Sequence, residues 1–394
     1  MSARRVEQRL RSARAPGELD AANRSADVVR AGFTAREPRP AARGLRGRIT
    51  VAVAIALLAA ALVLSPAGAK VAHFVGDAFD GPGVRHAKPA LVSLPARGRL
   101  LVDSRAGSWI VQHDGSKRLL GPFHDPTWSP HGLFVAAVRG RELLAIDPKG
   151  NVRWSLARDG AVAMPAWSRD GFRIAYRSGG ALRVVAGDGT GDRLVARRTE
   201  AVRPAWRPGT RHLVAFLASQ QVRLVDADSG RVRWSTTVFN TGGQLEWAPD
   251  GRTLVVAGPL GLRLLDARGH VVRTLESPPG WLLRNIAVSP HGDSLALVRQ
   301  EAGSGRSEVL RMRLGGRRSA PQRLFTGAGR IDEVEWSPDA RWLLLAWRDA
   351  NQWLFVRSSA ARGLRAYAGI AAAFDPRHPH AAGFPAAAGW CCSR

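Results

Sequence analysis

The heptapeptide PTWSPHG at residues 126–132 would pass for an ordinary turn if it stood alone. It returns as PAWSRDG at 165–171, PAWRPGT at 204–210, LEWAPDG at 245–251, IAVSPHG at 286–292 and VEWSPDA at 334–340. Counted from the indole position, the copies stand at Trp128, Trp167, Trp206, Trp247, Val288 and Trp336, with intervals of 39, 39, 41, 41 and 48 residues. A period near 40 marks a stacked or radial repeat, in which each unit buries its apolar face only against its neighbours. A worn seventh copy is expected at AAFDPRH, residues 372–378, with Phe374 in the indole position.

Every interval has the same grammar. After the motif comes an apolar strand, such as LFVAAV at 133–138 or TLVVAG at 253–258. A second strand follows, such as ELLAID at 142–147 or GLRLLD at 261–266, and it usually ends in an Asp/Gly turn. A third runs out as NVRWSL or RVRWST, and the next motif supplies the fourth. Strands of about five residues joined by tight turns form antiparallel hairpins, and four of them in about 40 residues make one propeller blade. The indole ends the incoming strand, where it fills the wedge between blades. Proline presets φ in the turn, Asp170 and Asp250 accept backbone N–H bonds, and Gly171 and Gly251 take the positive φ. His131 and His291 replace the aspartate, and Thr210 and Ala340 replace the glycine, so those turns are built differently. The motif residues are therefore read as core and hinge rather than as ligand contacts.

Copies of W-S-P-D-G at this period resemble the WD-like repeats of TolB-type β-propellers, over about residues 100–385. The resemblance implies a periplasmic propeller with a protein partner at the mouth of its central channel. The phrase LLAIDPKGNVRWSL is similar to the repeat of quinoprotein-type propellers, which implies a quinone enzyme as the alternative. The expected fold is all-β, a seven-bladed β-propeller spanning 99–390. One blade joins RLLVDS, SWIVQHDG and KRLLG (99–121) to the C-terminal IAAAFDP, which removes the open sheet edge. Six blades is the alternative, with 370–385 covering an end of the ring.

Ahead of the ring, residues 1–48 hold twelve arginines against five acids, and residues 49–69, ITVAVAIALLAAALVLSPAGA, hold no charge. Twenty-one residues span about 31 Å as helix, close to the thickness of a bilayer core. The arginines orient the N-terminus to the cytoplasm. The expected organisation is a basic cytoplasmic segment (1–48), a transmembrane helix (49–69), a linker (70–98) and an extracytoplasmic propeller. A cleaved signal peptide is the rival reading, with Ala67-Gly68-Ala69 as its site, but the stretch before the apolar run is far longer than a usual n-region.

Chemistry is sparse. No G-x-S-x-G, Walker loop, H-E-x-x-H or C-x-x-C occurs. GDGTGD at 187–192, the acidic turn at 226–230 and His378-Pro-His380 are read as turns and surface rather than phosphate, calcium or zinc sites. Cys391 and Cys392 are adjacent and can form a vicinal disulfide, but they build no framework. The formal charge of +26 favours anionic partners, yet no nucleic-acid module is present, so nucleic acid is not an expected partner. The expected function is a non-enzymatic platform at the bacterial cell envelope, without metal or cofactor, holding a protein, a peptide or an anionic envelope polymer. A transmembrane signalling receptor remains a further alternative.

Overall fold

Short apolar strands cut by Asp/Gly turns pair with their sequence neighbours, and the described residues fold into seven four-stranded antiparallel units. The computed structural model describes residues 88–89 and 93–392, apart from 210, 239–242, 316–319, 360–362 and 379–382. The expected basic segment and membrane helix lie outside these. Among the described residues no helix is long and apolar enough to cross a membrane.

Blade 2 runs outward from the channel through His124–Trp128, Val135–Arg139, Glu142–Ile146 and Val152–Ala157. Blade 3 uses Val162–Trp167, Arg173–Ser178, Ala181–Ala186 and Arg193–Ala196. Blade 4 uses Ala205–Trp206, Leu213–Ala218, Gln221–Asp226 and Val232–Thr237. Blade 5 uses Gln244–Trp247, Thr253–Gly258, Gly261–Asp266 and Val271–Glu276. Blade 6 uses Trp281–Val288, Ser294–Glu301, Ser307–Arg313 and Gln322–Gly327. Blade 7 uses Ile331–Trp336, Trp342–Trp347, Gln352–Arg357 and Leu364–Ala368, and Lys88–Pro89 pairs in parallel with its outer edge.

Blade 1 is closed by both ends of the chain. Arg99–Ser104, Gly107–Val111 and Lys117–Gly121 accept Ala386–Cys391 as their innermost strand. The innermost strands of successive blades touch all the way round, through this C-terminal strand. The ring therefore has seven blades, not six.

The seventh motif position corrects the sequence reading. Residues Ile370–Phe374 form a short helix rather than a strand. Phe374 plugs the junction of blades 7 and 1, edge-on to Trp109 at 5.8 Å and against Trp353 at 5.1 Å. The indole position belongs to Trp390, which pairs with Leu100 as Trp336 pairs with Leu343 and Trp247 with Leu254.

Among the described residues the buried apolar side chains form one cluster at each of the seven blade junctions. Every motif indole, and Val288, belongs to the cluster shared with the preceding blade, so each acts as a wedge. Outside the wedges, Trp154 and Trp234 clasp the next blade. Their indole N–H groups donate to the carbonyls of Gly187 (2.9 Å) and Ala267 (3.1 Å). Residues ahead of blade 1 join the ring too: Leu94 is buried, and the Tyr367 hydroxyl donates to the Ser93 carbonyl at 2.8 Å.

Candidate functional site at the channel mouth

Each innermost strand is a sheet edge facing the central channel, and its free N–H groups need acceptors. Side chains of the neighbouring blade supply them. Asp103 takes the Asp125 N–H at 2.7 Å, and Asp125 in turn takes that of Met164. Gln244 takes Ile286 at 2.7 Å, Glu246 takes Val288 at 3.0 Å, Asn285 takes Val334 at 3.0 Å and Glu333 takes Ala387 at 2.6 Å. Arg203 runs the other way, donating to the Pro165 carbonyl at 2.6 Å and pairing with Asp125. This belt sews the blades together from within.

Period-2 alternation puts residues one and three before each indole on the channel face. The layer three residues before it is Asp125, Met164, Arg203, Gln244, Asn285, Glu333 and Ala387, polar at five of seven positions, and it supplies most of the belt. The layer one residue before it is Thr127, Ala166, Ala205, Glu246, Ala287, Glu335 and Gly389. Five of these are small, and Glu246 and Glu335 are the two carboxyls of the layer. Burial pushes the Glu246 carboxyl up to about 8, against the pull of the Val288 N–H. Burial likewise raises Glu333 to about 7. Glu335 is raised well above the usual carboxylate range, first by burial and then by the charges of Glu246 and Glu333, with Arg203 opposing. Its carboxyl accepts no hydrogen bond from any described residue.

At the mouth where the motif turns gather, the channel widens into a cavity of about 580 Å³. Trp128, Trp167, Trp206 and Trp247 form its walls with Pro130, Pro204 and Pro208, and Glu246 lines it too. A shallower depression of about 380 Å³ lies between the turns, lined by Arg169, Asp170, Pro208, Gly209, Pro249 and Asp250.

The motif residues thus have two surroundings. Trp206 and Trp336 donate their indole N–H to the preceding blade, at the carbonyls of Ala166 and Ala287, each at 2.8 Å. Those of Trp128, Trp167 and Trp247 have no partner among the described residues. In the turns, Asp170 accepts the Phe172 N–H at 3.0 Å and Asp250 that of Arg252 at 2.9 Å, with φ of 78° at Gly171 and 66° at Gly251. Asp170 also faces His212 Nε2 at 2.9 Å, and His212 Nδ1 faces Asp228, so this imidazole ties blade 3 to blade 4.

Cys391 and Cys392 are bonded to each other. They follow Trp390 where three of the other copies carry Ser-Pro, and Cys392 lies beside Pro130 at the rim of the same mouth. A β-carbon on Gly132 would lie 2.8 Å from Cys392 Sγ, as one on Gly292 would lie 3.0 Å from the Pro249 ring. The sulfur takes the place of the proline that elsewhere packs on the next blade's turn.

The other stretches weighed from sequence are turns. Asp188 accepts the Thr190 N–H at 3.0 Å, and Asp226 accepts those of Asp228 and Ser229 and pairs with Arg233 at 2.6 Å. His378 Nδ1 lies 3.3 Å from Asp375, while His380 is outside the described residues. No group of three or more His, Cys, Asp and Glu placed to hold a metal ion occurs among the described residues. The channel carboxyls and Trp390 were missed from sequence; a charged residue beside the repeated indole was the signal for the former.

No protein-family model matches the chain, and no curated protein does. A chain of a mitotic checkpoint complex crystal structure matches with a TM-score of 0.50 at 17% identity, over 71% of this chain and 96% of that one. Hydrazine synthase of Kuenenia stuttgartiensis matches with a TM-score of 0.47 at 18% identity, over 59% of this chain and 75% of that one. With 1129 solved chains matching, the likeness carries the fold and selects no activity.

Proposed function

We propose that this chain is a membrane-anchored, extracytoplasmic, non-enzymatic propeller that holds a protein or peptide partner at the mouth of its central channel. A β-propeller is a common scaffold for protein interaction. The observation that carries the reading is the 580 Å³ cavity, walled by four indoles on a rigid ring and opening at the motif turns. The uncharged stretch at 49–69, with arginines before it, supports the anchor and its direction. The Cys391–Cys392 bond supports an oxidising compartment. The TolB-type repeat supports an envelope partner at this mouth.

The test is photo-crosslinking in intact cells from probes at His131, Arg169 and Pro208 on the rim, with probes on the exposed outer strands as controls. A discrete adduct from rim positions alone is expected. Adducts from outer strands only, or a propeller that externally added protease never reaches once the envelope is permeabilised, would sink the reading.

A quinone enzyme is the second reading, favoured by the vicinal disulfide at the rim. The cavity fits it poorly: a quinone cofactor bearing carboxylates would meet Glu246, and no calcium cluster is present among the described residues. An absorbance scan of the purified protein decides it, since a bound quinone absorbs above the protein band.

A further inference from the structure

Glu335 performs no task that the fold needs. Glu246 caps the Val288 N–H and Glu333 caps that of Ala387, whereas Glu335 caps nothing. At the same layer the other blades manage with alanine, glycine or threonine. Burying an unpaired carboxyl beside two others costs stability, and a group kept at such cost is a candidate for recognition. The one cation that bears on it, Arg203, is already committed to Asp125 and the Pro165 carbonyl.

The surroundings say what would relieve it. A positive charge settles two neighbouring carboxyls. Indole walls and prolines accept the apolar stem that carries such a charge, and aromatic faces attract cations. Trp247, only 6% exposed, lines the cavity with the other three indoles. An amine or guanidinium on a flexible apolar stem describes a basic side chain.

We infer that the turn-side mouth is a receptor for one basic side chain, a lysine or arginine of a partner polypeptide, whose charged head seats between Glu246 and Glu335. The inference rests on the platform reading and gives that reading its ligand. Seating the cation makes both carboxyls ionise, so binding near neutral pH releases protons.

The test uses the full chain in detergent micelles and the capped peptide Gly-Ser-Lys-Ser-Gly, with the same peptide carrying norleucine or arginine at its centre. Calorimetry in two buffers of different ionisation enthalpy reads affinity and proton release together. The lysine and arginine peptides are expected to bind at least tenfold more tightly than the norleucine peptide, with proton release at pH 7. Glu335→Gln, which keeps shape and removes charge, is expected to weaken binding at least tenfold and abolish that share of the release. Thr127→Trp, at a partly exposed position of the cavity lining, should likewise remove binding. Equal affinity for lysine and norleucine, no binding at millimolar peptide, or undiminished binding by Glu335→Gln overturns the inference. Rim crosslinks that persist in cells carrying Glu335→Gln would leave the platform standing and remove only the basic side chain.

Discussion

At Gly269 a single missing β-carbon sets the spacing of two blades. The φ there is 89°, and an added Cβ would lie 2.6 Å from the Trp234 ring of the blade before. Gly280 has nearly the same φ, 79°, but open space around it. Gly280→Ala should therefore cost about 1–2 kcal/mol for the left-handed backbone alone. Gly269→Ala should add about 1–3 kcal/mol for forcing the indole off its seat. Chemical denaturation of both variants checks this, and equal losses would show that the clasp does not matter. The motif indoles give a second comparison. Trp206→Phe leaves the Ala166 carbonyl without its donor, whereas Trp247→Phe removes an N–H that has no partner. Both lose ring volume in a junction cluster, so the expected difference is about 1 kcal/mol, with Trp206→Phe the worse. A larger loss at Trp247 would contradict that ordering. The wedge role of these indoles was legible from their spacing. Which of them finds a carbonyl was not, because that depends on small differences in blade tilt.

The element that the sequence hid is the closing strand, Ala386–Cys391. It lacks every mark of the other copies except its tryptophan: Cys-Cys replaces the Ser-Pro of three copies, and the interval from Trp336 is 54 residues rather than about 40. The extra length is spent on the Ile370–Phe374 helix, whose AAFDP wording mimics the motif. Strand register settles the matter, because Trp390 opposes Leu100 and the Ala387 N–H is held by Glu333. Trp390, 7% exposed, also meets Phe355 edge-on at 5.5 Å. Trp390→Ala is thus expected to cost about 3–5 kcal/mol, as much as Trp336→Ala, since both remove a junction wedge. Urea midpoints of the two variants provide the check. A loss at Trp390 below about 1 kcal/mol would mean that the terminal strand does not close the ring. Reduction of Cys391–Cys392 should cost less than either, because the hydrogen-bonded ladder with Arg99–Ser104 remains. Amide exchange at 389–391, faster after reduction while blade 5 stays protected, would locate the effect.

Across the whole ring, seven innermost strands bring together carboxyls up to 89 positions apart in sequence, Glu246 and Glu335. The repeat made the fold legible, yet it gave no warning of this meeting, because Glu246 and Glu335 stand on different blades. The consequence is a stability that depends on pH in an unusual direction. Glu246 ionises at about 4.5 when unfolded but at about 8 in the ring, and Glu335 is shifted the same way. Between those limits the folded chain binds more protons than the unfolded one, so stability falls as pH rises. Each such carboxyl adds up to about 1.4 kcal/mol per pH unit to that slope. The surface turns work oppositely. Burial acts to raise the Asp226 carboxyl, but Arg233 and the turn N–H groups outweigh it and bring it down to about 2. Its contribution is present above pH 3.8 and is lost as pH falls toward 2. Maximal stability is therefore expected near pH 4–5, below the usual range for folded proteins. Urea midpoints of the full chain in detergent should decline from pH 5 to pH 8. The double variant Glu246→Gln with Glu335→Gln should flatten that decline and leave the acid limb unchanged. A parent midpoint that rises between pH 5 and 8, or a double variant with the parent's slope, would mean that these carboxyls are ionised in water-filled space rather than held protonated by the ring.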